Sequence, residues 1–550
     1  MDADKIYARR WWTLAVLCFS LLVIGMDNTI LNVALPTIQR DLGATASQLQ
    51  WIVDAYTIVY ASILLTTGAL GDRFGRKGIL TLGLVVFGLG SVASAFSTSA
   101  GELIAFRALA GVGGALIMPA TLSILTNVFP AEERGRAIGI WAGVSGIGIV
   151  VGPVVGGWLL AHYFWGSVFF VNVPVVIIAL IGGYLFVPTS KDPDAPRLDP
   201  LGTVLGSFGL AALLYGVIEA PAQGWGDPAV MGGFGLGIVL LVAFVTWELH
   251  CTHPMLEVRF FRNPRFSGAS IAVTLVFFAM FGSMYFLTQY LQFVLGYSPM
   301  VAGAALIPLA GAMMLMSPNT ARITARVGTK IPVATGMVVV AAALALMSRL
   351  QVGGSYWFVG FVLALLGLGI ATAMAPATES IMGSLPPGKA GVGSAMNDTT
   401  RQVGGALGVA VLGSLTAASF HQQMQSSAAL AALPPAAAHA AHDSIGGAVE
   451  VARHLGPAGH QLVADASAAF VHGMSITLLI GAAVALGGAF VALAFLPARP
   501  PDAAPEPELI EDLDADRTAD LAAHSAEPTA AAAPAAPLVA AHELAADRGA

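Results

Sequence analysis

The chain has 550 residues, 56% hydrophobic and 10% charged, with a formal net charge of -7. At a mean hydropathy of +0.78 it is far too apolar for a soluble globular protein, which leaves an all-α polytopic membrane protein as the fold class. The global charge implies no basic or nucleic-acid partner, because much of the acid lies in the tail and orientation depends on where Lys and Arg sit. Cys18 lies in the first apolar run and Cys251 near a loop, so neither a structural disulfide nor a metal set is implied.

Residues 1–10 carry Lys5, Arg9 and Arg10. The run behind them is too long for a signal peptide and has no small-residue cleavage pattern, so it reads as a retained first span. The apolar runs that follow one another are 11–35, 51–70, 78–97, 103–128, 137–161, 168–187, 201–220, 229–249, 266–291, 301–320, 331–347, 356–378, 403–420 and 474–496. That predicts about 14 transmembrane helices, each near the ~20 residues a bilayer requires. Lipid offers no partner to a backbone N–H or C=O, so each run is read as a continuous helix. The basic residues, from Arg9, Arg73 and Arg134 through Arg265 and Arg326 to Arg401, fall in one alternate set of loops or at its edges. That side is expected to be cytoplasmic, with both termini on it.

The stretch Gly68-Ala69-Leu70-Gly71-Asp72-Arg73-Phe74-Gly75-Arg76-Lys77 sits between two spans and reads as a tight cytoplasmic turn: glycines for close approach, cations for the inner face. A weaker copy, 321–330, places Arg326 under Arg73, Gly328 under Gly75 and Lys330 under Lys77, with Ala325 where Asp72 stands. Repeated apolar halves are the sequence sign of a secondary transporter.

Ionisable groups inside a span are costly and are functional candidates by default. Asp27 lies about 24 Å up the first helix from Trp11, Asp54 near the outer start of the second, and Arg107 near the outer start of the fourth. Two carboxylates and a guanidinium therefore share the outer half, where alternating exposure could load and release a proton. Asp54 also reads as a helix cap behind Trp51. Glu219, Glu379 and Asp398 read as interfacial. In the fifth span, Gly148, Gly152, Pro153, Gly156 and Gly157 put small residues at four-residue spacing, with a proline that favours a kink. The 421–472 segment is Ala-rich with scattered histidines at spacings that match no ligand set, and reads as a helical or partly ordered outer loop. The acidic, Pro-rich 497–550 tail reads as disordered and cytoplasmic.

These residues resemble the major facilitator superfamily, in particular its fourteen-span drug:proton antiporter branch. The 68–77 stretch is similar to the signature loop, which implies that Gly68, Asp72, Arg73, Gly75, Arg76 and Lys77 gate the cytoplasmic side. The 148–157 stretch is similar to the antiporter motif, 27–36 to the first-helix motif, and 107–115 to the fourth-helix motif linked to proton transfer through its arginine. Ala110 stands where that last motif usually has glutamine, so Arg107 needs another polar partner; Trp165-Gly166 replaces a Trp-Arg pair. The resemblance implies a six-helix bundle (11–187), a linker with an inserted helix pair (188–250) and a second six-helix bundle (251–496).

The implied activity is proton-driven export of amphiphilic drugs or antibiotics by a monomeric carrier of the bacterial plasma membrane using Asp27, Asp54 and Arg107 for proton coupling. No cofactor and no enzyme activity are implied, since neither a Walker loop nor a metal cluster is present in the sequence. A dedicated exporter of one endogenous metabolite and a non-antiport carrier or sensor of the same fold remain open alternatives.

Overall fold

The computed structural model describes residues 3–44, 46–190, 199–251, 254, 256–386 and 389–497. The acidic tail and the linker cations Lys191 and Arg197 lie outside the described residues. No strand occurs among the described residues. The helices are α1 (Ala3–Leu42), α2 (Ala46–Ser62), α3 (Leu64–Phe74), α4 (Arg76–Ala95), α5 (Ala100–Val128), α6 (Ala131–His162), α7 (Ser167–Phe170), α8 (Asn172–Phe186), α9 (Pro200–Gln223), α10 (Pro228–His250), α11 (Pro264–Gln289), α12 (Pro299–Ala304), α13 (Ile307–Val327), α14 (Lys330–Met347), α15 (Tyr356–Met382), α16 (Ala390–Met424), α17 (Ala428–Ala431), α18 (Pro435–Asp443), α19 (Ile445–Leu455) and α20 (His460–Phe495).

Among the described residues, 12 helices are long and apolar enough to cross a bilayer, or 13 if α2 and α3, which meet at a 49° bend, form one span. Helix α6 runs unbroken for 32 residues through Pro153 and contributes the shorter apolar stretch Val151–His162. Two boundaries differ from the hydropathy reading. Helix α16 begins at Ala390 rather than near 403, and α20 begins at His460 rather than near 474. The α16 extension is rich in Gly, Ala, Thr and Asn with its polar side chains buried by neighbours, whereas the α20 extension is lowered in hydropathy by His460, Gln461, Asp465 and His472, none of them buried. The 421–472 loop is accordingly helical through α17, α18 and α19.

The two sets of spans pack in the same pattern. In the first, α1 lies on α6 and α8, α4 on α5 and α8, and α2 on α5; in the second, α11 lies on α16 and α20, α14 on α15 and α20, and α13 on α15. The sets meet crosswise, α6 against α12 and α13, and α3 against α16. The repeat extends to the turns. Helix α3 gives way to α4 through Gly75 at φ 106°, and α13 to α14 through Gly328 at φ 77°, left-handed conformations that glycine adopts without strain. In each case the helix after the turn is tied to the chain leaving the last span of its set: Arg76 N–H donates to Ser190 O at 3.0 Å, and Lys330 N–H to Pro497 O at 3.3 Å. The weak sequence copy at 321–330 is thus a true structural copy of the 68–77 turn.

The pair α9–α10 lies against α2, α3 and α16 and so touches both sets. Trp51 stacks on Tyr215 with ring centroids 6.0 Å apart, and Trp225 Nε1 donates to Ser414 Oγ at 2.9 Å. At the other end of the pair Asp199 caps α9 through the Gly202 N–H at 2.9 Å and accepts from Trp247 Nε1 at 2.7 Å.

Glycine faces set the closest helix approaches, as expected where lipid removes the hydrophobic drive between helices. A Cβ on Gly404 or Gly408 of α16 would collide with the carbonyl oxygens of Thr274 and Phe278 on α11. Gly408→Leu is therefore expected to cost about 1–3 kcal/mol through overpacking and to lower the melting temperature of the purified protein in detergent. An unshifted melting curve would contradict the α11–α16 packing.

Candidate functional site

Helix α1 carries Asp27 into the interior, where it is 0% exposed. Arg107 of α5, 2% exposed, donates from Nη1 to Asp27 Oδ2 at 2.6 Å. The other carboxylate oxygen accepts from Asn172 Nδ2 of α8 at 3.0 Å, and the same amide lies 3.3 Å from Ser91 Oγ of α4. Arg107 Nε donates to the Ile52 carbonyl of α2 at 3.3 Å. Its guanidinium carbon stands 4.4 Å from the Tyr56 ring centroid and 5.9 Å from that of Phe169. The polar partner that the Ala110 substitution denies Arg107 is therefore supplied by Asp27, a backbone carbonyl and an aromatic face. Asp54 is buried on α2, but the ion pair of Arg107 is with Asp27.

Glycines on α5 let this cluster form. Gly111, one helical turn beyond Arg107, admits the Tyr56 backbone, whose carbonyl oxygen would lie 2.7 Å from any Cβ there; Gly113 admits the Phe87 backbone of α4 at 2.5 Å. The glycine series of α6 clamps the other side of α1. A Cβ on Gly148 would stand 2.9 Å from Gly25 Cα, on Gly152 2.9 Å from Met26 O, and on Gly156 2.6 Å from Ile30 Cγ1. Gly157 and Pro153 face α12 instead, at Met300 and Gly303. The five motif residues thus seat α6 on the α1 segment that carries Asp27 and on the second set of helices.

At the turn after α3, Asp72 is buried and its carboxylate spans the two sets. Oδ1 accepts from Arg76 Nε at 3.0 Å and Nη2 at 2.8 Å. Gly391 N–H lies 3.0 Å from Oδ1 and 2.9 Å from Oδ2, and Val392 N–H donates to Oδ2 at 3.2 Å. Gly391 and Val392 open α16, so the carboxylate sits on the positive end of a 35-residue helix, where both the unpaired N–H groups and the dipole favour an anion. Gly68 permits this contact: a Cβ there would lie 2.5 Å from Gly391 O. The remaining cations diverge. Lys77 Nζ donates to Tyr184 O at 3.1 Å, and Arg73 lies over the Phe74 ring at 5.8 Å.

A third charged cluster departs from the sequence expectation. Asp398, read as interfacial, is 1% exposed because α16 starts a full thirteen residues earlier than hydropathy suggests. Arg401 Nη1 reaches Asp398 Oδ1 at 3.4 Å, and Asn397 Oδ1 accepts from Thr378 Oγ1 at 3.2 Å. Asn172, Ser91 and Arg401 were not singled out from sequence. The available signals were an amide inside the apolar eighth helix and the i, i+3 spacing of Asp398 and Arg401 in a polar run.

In the 421–472 segment, His421, His442 and Asp443 bring ligand atoms within 4.8 Å of one another. The two imidazoles stack at 4.8 Å with a 17° interplanar angle, and His421 Nε2 lies 3.2 Å from the Asp443 carbonyl oxygen.

Replacing Asp72 by Asn keeps its shape and removes the charge that Arg76 and the α16 terminus bind. In a background with both native cysteines changed to serine, a cysteine at Ala395 is expected to alkylate at least about 10-fold faster in Asp72→Asn, the equivalent of one lost charge-assisted hydrogen bond. Equal alkylation rates would contradict a contribution of the Asp72 carboxylate to holding α3 against α16.

A family profile described as Major Facilitator Superfamily matches residues 17–409. The chain is 36% identical over 514 residues to the Tetracenomycin C resistance and export protein of Streptomyces glaucescens, covering 92% of this chain and 95% of that one. It is 36% identical over 487 residues to the Multidrug efflux pump LfrA of Mycolicibacterium smegmatis, covering 88% and 95%. Among solved structures, the proton:xylose symporter XylE superposes with a TM-score of 0.57 at 13% identity, over 89% of this chain and 96% of that one, a likeness of fold. Family profile, full-length relatives and helical architecture agree: the chain is a multi-pass membrane transporter that belongs to the Major Facilitator Superfamily.

Proposed function

We propose that the protein exports amphiphilic drugs or antibiotics from the bacterial cytoplasm by antiport against protons. The observation that carries the proton coupling is the dry Asp27–Arg107 pair. An unpaired buried charge is strongly unfavourable, so Asp27 holds Arg107 only while ionised, and removing that charge costs on the order of 3–5 kcal/mol in pair interactions. Protonation from the outer side releases Arg107 to its remaining contacts, the Ile52 carbonyl and the Tyr56 face. Asn172 can bond either form of the carboxyl, so it keeps Asp27 in place while its charge changes. Asp54, buried nearer the start of α2, is the second carboxylate of this route.

The coupling then has two ends. The Asp72 contact with α16 holds the cytoplasmic ends of the two helix sets together, and the α6 glycine face maintains the seam around α1. Loss of the proton from Asp27 re-forms the pair, draws α5 toward α1, and accompanies capture of the substrate from the inner side. Export as the direction rests on the resistance relatives, one named for tetracenomycin C and one for multidrug efflux. The first of these supports a dedicated carrier of one compound as the narrower variant of the same reading. The carrier acts as a monomer in the plasma membrane with both termini in the cytoplasm.

In inside-out vesicles energised by respiration, lipophilic cations and antibiotics are expected to dissipate the pH gradient with the wild type. Asp27→Asn should abolish the response. Gradient collapse by the variant at the wild-type rate would overturn the assignment and move proton coupling to Asp54. Silence of the wild type across the panel would reject the multidrug reading and favour a dedicated carrier of one compound or a non-antiport role.

A further inference from the structure

Among the buried polar atoms of the second helix set with no hydrogen-bond partner among the described residues are Arg401 Nε, Arg401 Nη2 and Asp398 Oδ2, the ones that belong to charged side chains. Their residues are 5% and 1% exposed. Nε and Nη2 form one edge of the guanidinium, the same edge with which Arg76 grips Asp72, and that edge is built to take two adjacent oxygens or one shared one. Arg401 spends only its third nitrogen, Nη1, on Asp398. Its guanidinium carbon lies 4.9 Å from the ring of Trp141 on α6 and 5.0 Å from the ring of Phe277 on α11. Those aromatic contacts stabilise the charge but offer no lone pair to either N–H.

A purely structural ion pair would be expected to close these valences, because each buried donor left open forfeits its hydration. Trp141 belongs to the first helix set and Arg401 to the second, so the cluster lies between the two sets and is uncovered when they part. An occupant must supply acceptors for the fork, a hydrogen for the Asp398 oxygen, and a flat face for Trp141 and Phe277. It must also add no net charge, since Asp398 already balances Arg401. A planar aromatic ring bearing a carbonyl beside a hydroxyl meets all four requirements.

We propose that Arg401 and Asp398 form a substrate-recognition site for neutral, flat hydroxy-carbonyl compounds such as hydroxyquinones, separate from the Asp27–Arg107 pair. This names the substrate class of the export reading and rests on it for the direction of transport. The Arg401 fork takes the ligand oxygens, Asp398 Oδ2 accepts from its hydroxyl, and the aromatic pair sets its plane.

The test is equilibrium binding to the purified full-length protein, using two fluorescent flat dyes: quinizarin, a neutral hydroxyquinone, and ethidium, a cation without oxygens. Arg401→Lys keeps the charge and loses the fork, and is expected to weaken quinizarin by at least about 10-fold, the loss of a charge-assisted bidentate contact. Ethidium affinity should stay unchanged. Arg401→Gln should act in the same direction, and quinizarin should raise the melting temperature of the wild type but not of Arg401→Lys. Equal weakening of both dyes would mean that Arg401 only holds the fold together. Unchanged quinizarin binding, or none to the wild type, would likewise overturn the site. Fork-dependent binding without quinizarin efflux from vesicles would support the site and reject the export reading alone.

Discussion

A carboxylate and a guanidinium removed from water hold each other, and the first helix set is arranged around that constraint. Asp27 and Arg107 are 2.6 Å apart and essentially without solvent contact. Each is costly alone, so each fixes the other's helix. Around them α8 supplies an amide, α2 a carbonyl and an aromatic face, and α4 a hydroxyl. Glycines on α5 and α6 bring those groups within reach by letting backbones touch. The pairing makes the packing of five helices depend on one ion pair.

The second constraint lies at the other end of the bundle. Asp72 has three sets of donors, two of them backbone N–H groups from a helix of the opposite set. The corresponding turn at Gly328 copies the backbone of the Gly75 turn but has Ala325 in place of the aspartate. The fold is thus repeated while its charges are not. The ion pair Asp27–Arg107 joins α1 to α5, whereas Asp398–Arg401 lies within α16 and leaves a fork open. A symmetric scaffold with unequal polar groups gives its two halves different work: in the proposed cycle, the first handles the proton and the second the substrate.

Much of this was legible in the sequence because lipid imposes simple rules. Long apolar runs had to be helices, and Asp27 and Arg107 stood out because charge inside such runs is rare. The Gly68–Lys77 stretch revealed its turn through residue types alone. What the sequence could not convey was long-range pairing: that Arg107 would find Asp27, 80 positions away, or that Asp72 would bind N–H groups 319 and 320 residues distant. Hydropathy also misplaced the start of α16. Its first turns are polar because they face the other helix set and not lipid, so the Asp398–Arg401 cluster was read as an interfacial edge. Asn172 escaped notice because an amide carries no charge to flag it.

The most direct measurement is proton release by the purified protein in weakly buffered detergent solution when a transported substrate is added at neutral pH. Wild type is expected to release protons in saturable proportion to bound substrate, and Asp27→Asn to bind the substrate with no release. Proton release from the variant equal to that of the wild type would contradict the claim that the buried Asp27–Arg107 pair couples protons to transport.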